Sequence, residues 1–328
     1  MRPTELTKLL ALASLGCFTI ANSEAATTNQ WTARWEGLTN ITHRAQERTI
    51  KYAKTNYPQY FIEVPLTKRT QFNLFSPGQE HELGRRFWSV NITNAIPGSL
   101  ARAQQRLTNT ASGVVSAALP LLQCTNVPAF EFRMISDSNF NARCYFGGKI
   151  LVNAGVLPVV QNDDEFAFVI AHEMAHALAR HAGETASWEI ARTKGFQFAS
   201  FINDWAAESR LQKKSVELVL QGLNVASILT VSLPHDRLQE SEADHLGLIL
   251  MTRAGYRPQA AVDLWRRMAE VQTNTASLLS KAIAKYCSSH PPDAERLANL
   301  KLWLTETASN RQNAAPLGDS SQNGNDQK

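Results

Sequence analysis

Five consecutive residues, His172-Glu173-Met174-Ala175-His176, carry the most recognisable chemistry in the sequence. On a helix, residues four apart share a face about 6 Å apart along the axis, so both imidazoles reach one ion. Zinc suits two imidazoles and a carboxylate, and a catalytic site leaves the fourth position to water. The ion brings the pKa of that water near neutrality, and a carboxylate that is not itself a ligand takes the proton. Glu173, next to His172, fits that role of general base. Taken alone, the pentapeptide is also compatible with a buried helix that carries two ordinary histidines.

A second helix opens at Arg237-Leu238-Gln239-Glu240-Ser241-Glu242-Ala243-Asp244. Glu240 and Asp244 lie one turn apart on it, which makes Glu240 the candidate third ligand and Asp244 the residue that orients an imidazole from behind. The other reading is a solvated acidic face, common where carboxylates meet a helix start. Glu242 is assigned to such a face. His290 precedes Pro291-Pro292. By itself it reads as a loop histidine. Near the metal it would be either a fourth ligand that displaces the water or a donor to the developing oxyanion. The cofactor expected is one Zn2+ per chain.

These residues need a scaffold. Asn162 followed by Glu165 is a helix start, Phe166, Val169 and Ile170 have helical spacing, and Gly183 can end that helix. Helices are expected near Glu80–Val90, Ser99–Leu119, Arg237–Gly255 and after Pro292. Phe130–Met134 alternates as a half-buried strand, and Lys149–Val152 follows Gly147-Gly148 as a second, suggesting a small antiparallel sheet. The fold class is therefore α+β and mostly helical. The expected organisation is a signal peptide over 1–25, a helical segment over 26–75, the metal-binding domain over 76–307 and a disordered polar tail over 308–328. Val216–Leu233 is the most apolar later stretch, but Glu217, Gln221 and Asn224 make it an amphipathic or buried helix.

Arg2 and Lys8 precede the apolar run Leu9–Ala21, and Ser23-Glu24-Ala25 offers a cleavage site. This predicts export to the periplasm, with two alternatives: an uncleaved anchor, or an outer-membrane lipoprotein attached through Cys17. In an oxidising compartment Cys124, Cys144 and Cys287 allow one disulfide and one free thiol, or three buried thiols. The chain of 328 residues is 44% hydrophobic and 19% charged, as folded proteins are. Its net charge of +4 forms no block, which gives no case for nucleic acid.

The ordered set of motifs resembles peptidase family M48. Asn141-Ala142 with Gly147-Gly148, Glu165-Phe166-Ala167, His172–His176, Ala179-Arg180-His181 and Leu233-Pro234-His235-Asp236-Arg237 match in turn. Glu240–Asp244, Ala254-Gly255-Tyr256-Arg257-Pro258, and His290-Pro291 with Arg296 complete the match, over roughly residues 76–305. The resemblance implies a zincin-like (gluzincin) fold built on an active-site helix, zinc ligands at His172, His176 and Glu240, Glu173 as base and Asp244 behind a ligand. It also implies that the strand around Lys149–Val152 receives substrate as an added β-strand. The family's usual proline before the glycine pair is absent from Asn141–Gly148. The exported, soluble branch is the nearer match, since membrane-spanning members carry several apolar segments.

The activity expected is that of a zinc endopeptidase acting on misfolded or misassembled cell-envelope proteins. The alternative is a chaperone or assembly factor that seldom cuts. Expected partners are such clients and the envelope assembly machinery, with membrane association through the N-terminus.

Overall fold

The computed structural model describes residues 51, 54–64, 67–92, 96–121, 128–191, 193, 233–273, 290 and 294–313. The expected signal peptide, Cys17, Cys124, Cys287, the Val216–Leu233 helix (all but its last residue) and residues 314–328 lie outside them. Strands β1 (Phe61–Glu63) and β2 (Thr70–Phe72) pair antiparallel, so the described part of the 26–75 segment contains a hairpin as well as helix. Helices α1 (Pro77–Asn91) and α2 (Ala101–Ala118) follow. Ser76 caps α1 with a reciprocal capping box to Gln79.

Three strands form the main sheet: β3 (Glu131–Ile135), β4 (Ala142–Tyr145) and β5 (Lys149–Asn153), in the order β3-β5-β4. The sheet is mixed. β4 and β5 are an antiparallel hairpin, whereas β3 and β5 run parallel with Glu131 opposite Lys149. The expectation of antiparallel pairing between the Phe130–Met134 and Lys149–Val152 segments is thus corrected. A strand lies between them in sequence, so the chain reverses twice and β5 regains the direction of β3. Gly147 and Gly148 make the second reversal at φ 68° and 78°, where side chains are unwelcome. β5 is buried at every residue and paired on both sides, as its continuous apolar run fits. It therefore has no free edge for a substrate strand. The edge strands of this sheet are β3 and β4, and β4 is the one that lines the cleft described below.

Helix α3 (Asp163–Leu178) carries the pentapeptide. The Asn162 side chain accepts from the Glu165 N–H at 2.9 Å, the start read from the sequence. The helix ends before Gly183. Arg180 takes the left-handed conformation at φ 57°, and α4 begins at once over residues 181–191, with Gly183 inside its first turn. That conformation costs a non-glycine residue roughly 1–2 kcal/mol. Arg180 offsets it by donating to Glu80 at 2.9 and 3.0 Å and to the Phe75 carbonyl at 2.5 Å.

Helices α5 (Leu233–Arg253), α6 (Gln259–Thr273) and α7 (Ala294–Asn313) complete the described chain. α3 lies at the centre, against α2, α5, α6 and the β4–β5 hairpin. Its apolar residues are buried all round, as a central helix requires. Phe166, Ile170 and Met174 are fully enclosed, each worth roughly 1.5–3 kcal/mol of burial. Gly247 lets α5 cross α3 closely: a Cβ there would stand 3.1 Å from the Cα and N of His172. That crossing sets Glu240, about two turns upstream, over the histidines. No helix among the described residues is long and apolar enough to cross a membrane.

Candidate metal centre

His172 and His176 project from the middle of α3, Glu240 from α5, and His290 from the segment before α7. One donor atom from each lies within 4.8 Å of the others. His172 Nε2 stands 3.1 Å from His176 Nε2, 3.4 Å from Glu240 Oε2 and 3.4 Å from His290 Nδ1. His176 Nε2 stands 3.4 Å from Glu240 Oε1, and His290 Nδ1 2.8 Å from Glu240 Oε2. Donors about 2 Å from a tetrahedral zinc are about 3.3 Å apart, and this set has nearly that spacing. The residues fit the ion.

The electrostatics agree. Burial pulls the His172 pKa down, but Asp244 and Glu240 overcome it and raise it to about 10. Burial likewise opposes ionisation of Glu240, and His290, His176 and His172 hold its carboxyl well below the usual range. A pocket that holds a proton so firmly has negative charge to spare for a cation.

The supports are built from the same helices. Asp244 Oδ1 lies 3.0 Å from His172 Nδ1, the ring nitrogen opposite the one that faces the other donors. Arg296 on α7 donates to both Asp244 oxygens at 2.7 and 2.9 Å, and its third nitrogen lies 3.1 Å from Glu240 Oε2. The Arg296 guanidinium rests on Trp265 of α6 at 4.3 Å from the ring centre. Asp244 therefore touches His172 and not the centre of the cluster, the place that its expected orienting role requires.

Glu173 is buried, yet neither of its carboxylate oxygens has a hydrogen-bond partner among the described residues. The nearest imidazole nitrogen, His290 Nε2, is 3.8 Å away. Such an orphaned pair of acceptors is costly unless a water or substrate meets it. Glu173 and His176 sit in the floor of a cleft of about 450 Å³. One wall is Arg143, Cys144 and Tyr145 of β4, and the other is Ala182, Thr185 and Ala186 of α4. Cys144 carries a free thiol whose pKa is pushed up by burial.

One assignment from the sequence fails. Glu242 is not part of a solvated face: it is buried and accepts from His181, Arg69 and Thr67. Sequence spacing alone assigns no role to His181 or Arg69. His181 stands 2.8 Å from His176, and burial pushes its pKa down to about 4.

The profile of Peptidase family M48 matches residues 102–304, well over half of the chain. The chain belongs to that family. It is a metalloprotease by class, and its cofactor is zinc. The mitochondrial metalloendopeptidase OMA1 of Schizosaccharomyces pombe is 29% identical over 249 residues, 76% of this M48 chain and 68% of that protein. OMA1 of Saccharomyces cerevisiae is 31% identical over 180 residues, covering 53% and 47%. The beta-barrel assembly-enhancing protease of Escherichia coli is 24% identical over 177 residues, covering 52% and 34%. The matched stretch thus spans about half or less of the length of most of these relatives.

Proposed function

We propose that this M48 protein is an exported zinc endopeptidase that cuts misfolded or misassembled envelope proteins, with His172, His176 and Glu240 holding the metal. The observation that carries hydrolysis is the Glu173 carboxylate, buried beside the donor set and without a hydrogen-bond partner among the described residues. A bound zinc supplies acidification of a water and polarisation of the scissile carbonyl. Glu173 takes the proton of the attacking water on a carboxylate oxygen and returns it to the leaving amine. Asp244 fixes the ring of His172, and Arg296 fixes Asp244. An extended substrate pairs with the free edge of β4 and lays its scissile bond over Glu173. Unfolded clients suit this mode, because their backbone is available for pairing.

The deciding experiment is the Glu173→Gln protein, assayed on casein and on a peptide mixture. It is expected to retain one zinc and lose hydrolysis by about 10²–10⁴-fold. Near-normal turnover would reject the mechanism.

A second reading, a client-binding assembly factor that seldom cuts, draws on His290. Four protein donors close a zinc site, and a closed site holds no reactive water. The two readings meet if His290 is a latch that opens.

The cellular address rests on Arg2, Lys8 and the Leu9–Ala21 run. The names of the yeast relatives favour a mitochondrial address instead. Intact mass of the protein from its native cell decides this: a chain beginning at Ala26 is expected. An acylated chain beginning at Cys17 selects the lipoprotein, and a cut far inside residue 26 rejects the signal peptide.

A further inference from the structure

We propose that His181 and Glu242 are positioning residues for His176, forming a relay from the metal to Arg69 in the β1–β2 hairpin. This rests on the reading that His172, His176 and Glu240 hold zinc. His176 turns Nε2 toward the other donors, 3.1 Å from His172 and 3.4 Å from Glu240. A neutral imidazole that offers Nε2 to a metal carries its proton on Nδ1. That N–H meets His181 Nδ1 at 2.8 Å. Two ring nitrogens share one hydrogen only if one of them accepts, so His181 has a bare Nδ1 and its proton on Nε2. Its Nε2 lies 3.0 Å from Glu242 Oε2, where the proton is donated to a carboxylate. The metal thus dictates both tautomers, and each hydrogen bond in the relay has one donor and one acceptor.

The far end is equally satisfied. Glu242 accepts from Arg69 Nε at 2.9 Å and from the Thr67 hydroxyl. The other Arg69 nitrogens donate to both oxygens of Glu184 at 2.7 Å each, and Glu184 also accepts from Gln239 at 3.0 Å. His181, Glu184, Gln239 and Glu242 are all buried, so each unmet bond would cost its full desolvation. The left-handed turn at Arg180, tied to Glu80, aims the first residue of α4 back at the active-site helix.

The two histidine ligands are therefore supported differently. His172 has a carboxylate directly behind it, at 3.0 Å from Asp244. His176 has an imidazole inserted before the carboxylate. The relay also reaches Thr67 and Arg69, which precede the 102–304 stretch matched by the family. The hairpin thereby becomes part of the metal centre.

The test uses the full-length protein and measures zinc affinity by chelator competition. Partners behind metal ligands typically contribute 10–100-fold in affinity, and His181→Leu is expected to weaken zinc binding by that much. His181→Gln is expected to recover most of it, since its amide oxygen accepts from His176 and its NH2 donates to Glu242. The visible spectrum of the cobalt-substituted protein should change in His181→Leu and return in His181→Gln, which a purely structural role would not produce. Unchanged zinc affinity and an unchanged cobalt spectrum in His181→Leu overturn the proposal. Should that variant fail to fold, nitrogen-15 spectra of the zinc-loaded wild type decide: a bare Nδ1 on His181 is expected, and a protonated Nδ1 overturns the relay. Failure of the wild-type chain to bind zinc would sink the underlying reading as well, which distinguishes the two failures.

Discussion

His290 poses the sharpest question at the scale of a single residue. Its Nδ1 lies 2.8 Å from Glu240 and 3.4 Å from His172 Nε2, inside the donor set. A ligand there takes the position that water needs, so the geometry favours a restrained enzyme over an oxyanion donor. His290→Ala is accordingly expected to raise casein cleavage and self-cleavage at matched zinc content. A fall would make His290 a transition-state donor, with a loss on the order of a hundredfold. Local spacing in the sequence announces residues that the fold gathers: the one-turn interval of His172 and His176, and that of Glu240 and Asp244. The burial of Glu242 is not legible in the sequence because its partners, His181 and Arg69, lie 61 and 173 residues away. Nothing in its own helix distinguishes it from a solvated acid. The motif Ala179-Arg180-His181 holds the one usable hint, a histidine five residues past His176.

At the scale of elements, helical spacing and its breaks place α1, α2, α3, α5 and α7, and the Asn162 cap marks where α3 begins, whereas α4 and α6 are not announced as separate helices. Strand direction was not legible. Alternation in Phe130–Met134 and the apolar run Lys149–Val152 identify strands, but pairing depends on what lies between them. There Arg143-Cys144-Tyr145 is too short and mixed to announce itself. The consequence is functional, because β4 and not β5 offers a free edge beside the cleft. Arg143 is exposed on that edge. A photo-crosslinking side chain at Arg143, placed in the Glu173→Gln protein, should capture bound casein. The same side chain at exposed Ser136, just past the opposite edge strand, should not. Equal capture at both positions would refute docking along β4.

At the scale of the molecule, the metal site is a junction. Its donors come from α3, from α5 and from the segment before α7, and Arg296 and Trp265 extend the tie to α6. Without a cation, the buried Glu240 and Asp244 are met by Arg296 and by the imidazoles of His172, His176 and His290. Zinc therefore binds the folded chain and has little to hold in the unfolded one, where these residues are far apart. At free zinc a thousand times its dissociation constant, such linkage adds about 4 kcal/mol to stability. For a folded unit of roughly 150–250 residues, 1 kcal/mol moves the Tm by about 2–4 °C, so removing zinc should lower the Tm by about 8–16 °C. Calorimetry of the zinc-loaded and chelator-stripped protein measures this. The loss should be reversed by adding zinc. It should be strongly reduced in Glu240→Ala, in which the junction between α3 and α5 is cut. It should persist in Glu173→Gln, because that side chain is not among the clustered donors. A Tm indifferent to zinc in the wild-type protein would mean that the junction is held by Arg296 and side-chain packing alone.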